Sequence, residues 1–366
     1  MKIVLAFNAF KQTMSASMAT SIFQDQLYSR NINIVPVVVA DGGEGSVQAM
    51  YSNLKGKKDL VKYEVTGPHL EKITAEVLIS KNMAVLEVAS VVGYKYKYKN
   101  DTPKNIYTLG IGEIIKKLLD TDIKDIYICM GDSISNDAGM GILYALGAKF
   151  YNDENDEIIP CGSKLNDIRN IDLQGIDPRV KDKNFIALSD VENILFGPQG
   201  ASYIFASQKG AKSVELKQLD DGLRNVAKIF NNNYENYIGS GAAGGIGYAI
   251  LCLGGKIQSG IETILNIAHF NQKIKNADFV ITGEGQLDEQ SFQGKTVSGI
   301  IKKTNQSGTK LIGFFGIITL PKEKYENLFY KVYEINYLHL PFDSIVNYSI
   351  EMYKMTIDKF IRNFSL

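Results

Sequence analysis

Two carboxylates and three glycines fall within six residues at Asp41-Gly42-Gly43-Glu44-Gly45-Ser46. A plain turn rarely needs that composition. Glycines let backbone approach a ligand closely, and acids so placed can hold Mg²⁺ directly or through water where phosphoryl groups move. Asp41 and Glu44 are therefore candidate metal-binding residues. Asn8 to Ser15 brings Lys11 and the hydroxyls of Thr13 and Ser15 to a predicted helix start, which suits a phosphate, a carboxylate or ordinary capping. The loop Gly131 to Gly141 carries Ser133, Ser135, Asn136 and Asp137. Its side chains and free amides can bind oxyanions, and Asp137 either caps the next helix or accepts from a substrate hydroxyl. Asp190 ends an apolar run, Phe185 to Leu188, and leads through Val191-Glu192 to Asn193. A carboxylate at such a strand end is suited to take the proton of an attacking hydroxyl. The loops Gly239 to Gly245, with Gly241, Gly244 and Gly245, and Thr282 to Asp288, with Glu284 and Asp288, complete the set. Glu284 and Asp288 join the metal candidates, and Lys295 can meet phosphate as a point charge.

Other chemistries fit poorly. Gly239-x-Gly241-x-x-Gly244 matches a dinucleotide fingerprint, but Asn231-Asn232-Asn233-Tyr234 stands where a buried strand should precede it. Gly294-Lys295-Thr296 ends like a phosphate-binding P-loop, yet Glu289 occupies the place of its first glycine. His69, His269 and His339 stand singly, so a zinc site or a histidine-based triad is not expected. Three scattered cysteines with no Cys-x-x-Cys point to a reducing, cytoplasmic setting. Forty basic residues balance forty acidic ones, which gives no global pull toward nucleic acid or anionic membrane. The alternating Tyr94-Lys95-Tyr96-Lys97-Tyr98-Lys99 reads as a strand edge protected by lysines. No apolar run reaches the ~18 residues of a membrane helix.

These loops need a scaffold, and the apolar runs predict one. Lys2 to Phe7, a helical stretch from Ser15 to Arg30 with Met18, Ile22, Phe23 and Leu27 on its apolar face, and Ile32 to Ala40 form a βαβ unit. Pro36 inside the second run predicts an edge strand or a bulge. Ala277 to Thr282 and Lys310 to Ile318 are further buried strands, separated by a helix through Ile300 and Ile301. Between these flanks, short strands are expected at Tyr63 to Val65, Thr74 to Ile79 and Ala84 to Val88, with helices at Ile111 to Leu119 and Met140 to Leu146. The expected organisation is α/β: a discontinuous open parallel-sheet domain, residues 1–60 plus 255–366, holding an inserted mixed α+β domain, residues 61–254. Loops at the carboxyl ends of parallel strands are where such sheets bind ligands.

Taken in order, the motifs resemble those of type I glycerate kinases. Asp41-Gly-Gly-Glu-Gly, the Ser-x-Ser-Asn136-Asp137 loop, Asp190-Val-x-Asn193, Gly241-Ala-Ala-Gly-Gly and Thr282-Gly-Glu-Gly-x-x-Asp288, with Gln290 and Gly294-Lys295, carry the resemblance from Met1 to about Gly316. It implies a flavodoxin-like domain with an inserted second domain and an active site in the cleft between them. It also implies ATP and glycerate as substrates, Mg²⁺ as cofactor, and 2-phosphoglycerate as the commoner product. On that expectation Asp190 and Lys11 are catalytic. Asn8, Ser133, Ser135, Asn136, Asp137, Asn193, Gly241, Gly244, Gly245 and Lys295 bind substrate or phosphate. Asp41, Glu44, Glu284 and Asp288 hold metal. The chain departs from the family pattern in its first loop, where Asn8-Ala9-Phe10-Lys11-Gln12-Thr13 replaces Asp-Ser-Phe-Lys-Gly-Ser. Similar departures are Ile194 for a proline after Asn193, and Ala206-Ser207-Gln208-Lys209-Gly210 for Gly-Pro-Gln-Lys-Gly. A kinase of another small hydroxy acid or polyol, or a catalytically weak binding protein on the same scaffold, are the alternatives, and a homodimer is open beside a monomer.

Overall fold

The computed structural model describes residues 1–10, 13–292 and 294–364. The chain divides into two compact units, Met1–Asp41 with Gln48–Leu54 and Ile261–Leu366, and Gly42–Val47 with Lys55–Gly260. This differs from the expected boundaries at three places. Residues 42–47 belong to the second unit, as do residues 55–60, where Asp59–Thr66 starts its pairing with Lys72–Ser80, and residues 255–260, because Lys256–Gln258 pairs in parallel with Asn184–Leu188.

The first unit is built on a five-stranded parallel sheet in the order Asn33–Pro36, Lys2–Phe7, Phe279–Leu287, Lys310–Ile318, Lys331–Glu334. Counted along the chain, that is the 2-1-3-4-5 order of flavodoxin-like folds. Pro36 ends the edge strand, where its missing N–H costs no ladder bond. Ser15 caps the helix Ala16–Leu27 by accepting from the Met18 amide, as its position suggests. The buried stripe is Ala19, Phe23 and Leu27, with Thr20 beside it, while Met18 is exposed and Ile22 half-buried, so the apolar face is rotated from the predicted one. Phe7, Phe23, Phe314, Tyr353 and Phe360 pack edge-on or tilted against one another; Phe7 and Tyr353 lie 6.0 Å apart at 89°. Such pairs add about 0.5–1.5 kcal/mol each beyond the area they bury.

The strand Phe279–Leu287 runs further than its apolar residues predict. Gly283, Glu284, Gly285 and Gln286, expected as loop, continue the ladder against Phe314–Ile318. The neighbouring apolar strand recruits them, and Gly283 is needed because a Cβ there would stand 1.9 Å from the Phe314 carbonyl oxygen.

The second unit carries a mixed six-stranded sheet. Lys256–Gln258, Asn184–Leu188, Asp125–Cys129 and Met83–Glu87 run parallel, and Lys72–Ser80 and Asp59–Thr66 add antiparallel. The register aligns Glu87 with Cys129, Cys129 with Leu188 and Leu188 with Gln258, so four strands end on one line. The helices Leu109–Leu119 and Met140–Ala145 stand where predicted. Tyr94–Lys99 is not a strand edge: Tyr94–Tyr96 forms a 3₁₀ turn. Instead of a strand, a 3₁₀ turn at Tyr234–Asn236 precedes Gly239, which agrees with the rejection of the dinucleotide fingerprint. No helix among the described residues is long and apolar enough to cross a membrane.

Candidate active site

In the first unit the chemistry gathers where strand order reverses, between Lys2–Phe7 and Phe279–Leu287, the place at which such sheets take ligands. The Asn8 amide donates to the Gly283 carbonyl at 2.9 Å, which sets Asn8 beside the residue preceding Glu284. The Asn8 side-chain oxygen accepts from the Ala9 amide at 2.9 Å. Lys11 lies outside the described residues. Burial pushes the Glu284 carboxyl up to about 7; the charges of Asp41 and Asp288 push the same way, and the Ser291 hydroxyl and Lys295 oppose them. Its Oε1 is buried without a hydrogen-bond partner. Asp288 is partly committed to its own turn, because its Oδ1 accepts from the Gln290 and Ser291 amides at 2.9 and 3.1 Å. Lys295 Nζ donates to Gln290 Oε1 at 2.8 Å, and Lys295 is the N-cap of the helix Thr296–Ser307. Thr296 at that N-terminus also has a buried hydroxyl without partner. A helix start with a lysine beside it favours anions, while three carboxylates a few residues away favour a cation.

In the second unit the site is built at the aligned strand ends. Gly42 to Glu44 lies over them. The Gly131 amide donates to the Gly42 carbonyl at 3.1 Å, and the Glu44 amide donates to Asp132 Oδ2 at 3.2 Å. A Cβ on Gly42 would stand 2.8 Å from the Leu188 carbonyl oxygen, and one on Gly131 2.3 Å from the Gly43 Cα, which is why this loop is glycine. Glu87, unmarked in the sequence, fastens the loop by accepting from the Val47 amide at 2.7 Å, and burial raises its carboxyl pKa. Glu44 is exposed, and Asp190, two residues beyond Leu188, is half-buried.

The Ser133–Asp137 loop is packed beneath a glycine-rich cover. Ala243, Gly244 and Gly245 adopt positive φ in succession, which breaks the helix Ala242–Cys252 at its start. A Cβ on Gly244 would lie 2.0 Å from the Ser135 carbonyl oxygen, and the Ala138 amide donates to the Gly244 carbonyl at 3.0 Å. Gly241 packs as closely on Ile194, and its amide donates to the Asn193 carbonyl at 3.0 Å. Contacts in this unit thus tie Glu44 to Asp132, Gly244 to Ser135 and Gly241 to Asn193. Asp137 is fully buried. It accepts from the Thr108 hydroxyl at 2.6 Å and from the Gly139 and Gly141 amides at 3.0 and 3.4 Å, which is the capping role of its two readings. Burial pushes its carboxyl up to about 6 despite those donors. Asn136 is also wholly buried; its amide donates to the Ser202 hydroxyl at 3.0 Å, and its own oxygen has no partner.

Sequence reasoning missed Lys209 as a site residue. Its ammonium, only 4% exposed, donates to Ser133 Oγ at 3.1 Å and to the Ser135 carbonyl at 2.8 Å. Burial pushes it down to about 7, against the pull of Asp137. The segment Gln208-Lys209-Gly210 by itself does not tell a buried lysine from a solvated one.

A family model described as the glycerate kinase family matches residues 3–365. The chain belongs to this family. It is 36% identical over 336 residues to the glycerate 2-kinase of Escherichia coli K12, covering 87% of this chain and 86% of that protein. It is 33% identical over 326 residues to a glycerate kinase of Halalkalibacterium halodurans, covering 86% and 85%. Among solved structures, a glycerate kinase 2 candidate from Salmonella typhimurium LT2 superposes with a TM-score of 0.82 at 29% identity, over 100% of this chain and 98% of that one.

Proposed function

We propose that this protein transfers the γ-phosphoryl group of ATP to a hydroxyl of glycerate, with 2-phosphoglycerate as product, in the cytoplasm. The observation that carries the reading is the charge arrangement around Glu284, where three carboxylates and Lys295 meet at the switch point of a flavodoxin-like sheet, in a chain of the glycerate kinase family. Phosphoryl transfer is mostly positioning and charge neutralisation, and it needs cations, metal-binding acids and one base.

Mg²⁺ fits the residues present. Among the described residues no three His, Cys, Asp or Glu side chains form a ready metal cage. Mg²⁺ does not need one when it travels with nucleotide, since one or two carboxylates plus phosphate oxygens suffice. Glu284, with its unpartnered oxygen, and Asp41 are the residues to hold it, with Asp288 and Glu44 as further candidates. Held there, the ion would supply charge neutralisation for the phosphoryl oxygens. Lys295 and the N-terminus of Thr296–Ser307 serve the phosphates, joined by Lys11. Ser133 and the amides of its loop serve the hydroxy acid. Asp190 accepts the proton of the attacking hydroxyl, and the oxygen so released bonds to the γ-phosphorus as the bond to the ADP oxygen breaks.

Coupled measurement of ADP release with glycerate and other small hydroxy acids tests this. Turnover with glycerate supports it. Turnover only with another acid or polyol moves the substrate, and binding without ADP release leaves a binding protein on a kinase scaffold.

A further inference from the structure

The lysine in the second unit is buried where a surface charge would be expected, between Gly-rich turns. Taking an ammonium out of water costs several kcal/mol, and an apolar side chain of the same length fills such a slot more cheaply. The turn that presents it is tightly built: the Lys209, Gly210 and Ala211 amides donate to the carbonyls of Ala206, Ser207 and Ala206 at 3.1, 3.0 and 2.9 Å. Gly210 has φ +105°, and a Cβ there would stand 2.1 Å from the Asp101 carbonyl oxygen. Lys209 is thus delivered to Ser133 Oγ and the Ser135 carbonyl by a backbone with little room to shift.

The consequence follows from donor and acceptor counts. The charged form of Lys209, which prevails below about pH 7, has three donors and no lone pair, whereas a serine hydroxyl has one donor and two lone pairs. A hydroxyl that accepts from this ammonium cannot return its own proton there. That proton must point elsewhere, and the positive charge behind the oxygen strengthens it as a donor. We propose that Lys209 is a positioning residue that fixes Ser133 as a hydrogen-bond donor to an anionic ligand oxygen, carboxylate or phosphoryl. This rests on the phosphotransferase reading and names what Ser133 does within it.

The test is calorimetric binding of glycerate and, separately, of Mg-ATP to wild type, Ser133→Ala, Lys209→Met and the double variant. Each single variant is expected to weaken one ligand at least fivefold and leave the other unchanged. The double variant is expected to be no weaker than the worse single one, because Lys209 acts through Ser133. Loss confined to glycerate identifies the carboxylate as the anionic oxygen, and loss confined to ATP identifies a phosphoryl oxygen. Multiplicative losses, or no loss for either ligand, overturn the proposal. If Lys209→Met does not fold, Ser133→Ala decides it with glycerate against glyceramide and ATP against adenosine. A drop restricted to the anionic member of one pair supports the proposal, and any other pattern overturns it. ADP release is followed in parallel: the expected binding pattern without turnover removes the kinase reading and keeps this inference. A wild type that binds neither ligand removes both.

Discussion

The two units treat buried charge in opposite ways. In the second unit the carboxylate of Asp137 is met by a hydroxyl, two amides and the field of Lys209. In the first unit Glu284 faces Asp41 and Asp288, with Lys295 and the Ser291 hydroxyl in opposition, and one of its oxygens is left without a partner. The arrangement in the second unit is a close-packed mould held by its own hydrogen bonds. The first unit carries an excess of negative charge around a buried carboxyl.

Breaking the mould gives the largest expected effect. Gly244→Ala forces a Cβ to within 2.0 Å of the Ser135 carbonyl oxygen at a φ of +70°, and the expected loss is about 3 kcal/mol or more. Gly308→Ala in the first unit, at φ +68° with nothing within 4 Å, is expected to cost only about 1 kcal/mol. Denaturant melts of both variants check this; equal losses would mean that the close packing over Ser135 carries no special load. Next comes Asp190→Asn, expected to lower kcat by about 10²-fold, roughly 2.7 kcal/mol of barrier, with nucleotide affinity unchanged. A normal kcat with a raised KM for the acid would make Asp190 a binding residue only.

The imbalance in the first unit predicts a pH effect. The Glu284 carboxyl titrates near 7 in the folded protein against an ordinary 4.5, so the folded state keeps a proton that the unfolded chain has lost. Its contribution is full below the unfolded value and is lost as pH rises through the folded one. The stability of wild type relative to Glu284→Gln should therefore fall between these two values by about 2 kcal/mol, allowing for a side chain that is only half-buried. Melts of both proteins across that range, without metal, decide it, and parallel curves would show that Glu284 is not held protonated. Asn8→Asp is expected to be the smallest change. It adds a carboxylate one strand away from Glu284, and the Mg²⁺ concentration for half-maximal activity should shift by about tenfold, near 1.4 kcal/mol. An unchanged metal dependence would place Asn8 outside the negative pocket.

The sequence was a good guide wherever one local rule decided the outcome. Lys310–Ile318 is a continuous apolar run and folds as the buried strand it predicts, and Ser15 caps the helix after it for the reason serine usually does. It was a poor guide where a partner distant in the chain decided. Gly283 to Gln286 has loop composition and becomes strand because Phe314 to Ile317 offers a ladder. The Tyr-Lys alternation from Tyr94 has strand periodicity and turns instead, with the Tyr96 hydroxyl donating to the Ser90 carbonyl at 2.9 Å. Gly42 to Val47 sits in sequence with the first unit but is held to the second by Glu87, Gly131 and Leu188. For the candidate site, small residues and acids in strand-end loops were legible. Lys209 was not, because nothing local distinguishes a buried lysine from a solvated one.

The pairing of Lys2–Phe7 with Phe279–Leu287 also bears on how the chain comes into being. Ile3 to Phe7 has no exposed surface in the finished protein, yet of its two sheet neighbours only Asn33–Pro36 is made soon after it. At typical synthesis rates the other neighbour emerges roughly ten seconds to a minute later, after the whole sheet of the second unit has been made. During that interval the most apolar strand of the first sheet has an open edge, which invites pairing with other chains. The second unit, with its strands complete by Gln258, can fold on the ribosome, while the first must wait for its partner strands. A nascent chain stalled before Phe279 therefore exposes the edge of Lys2–Phe7 that Phe279–Leu287 later covers.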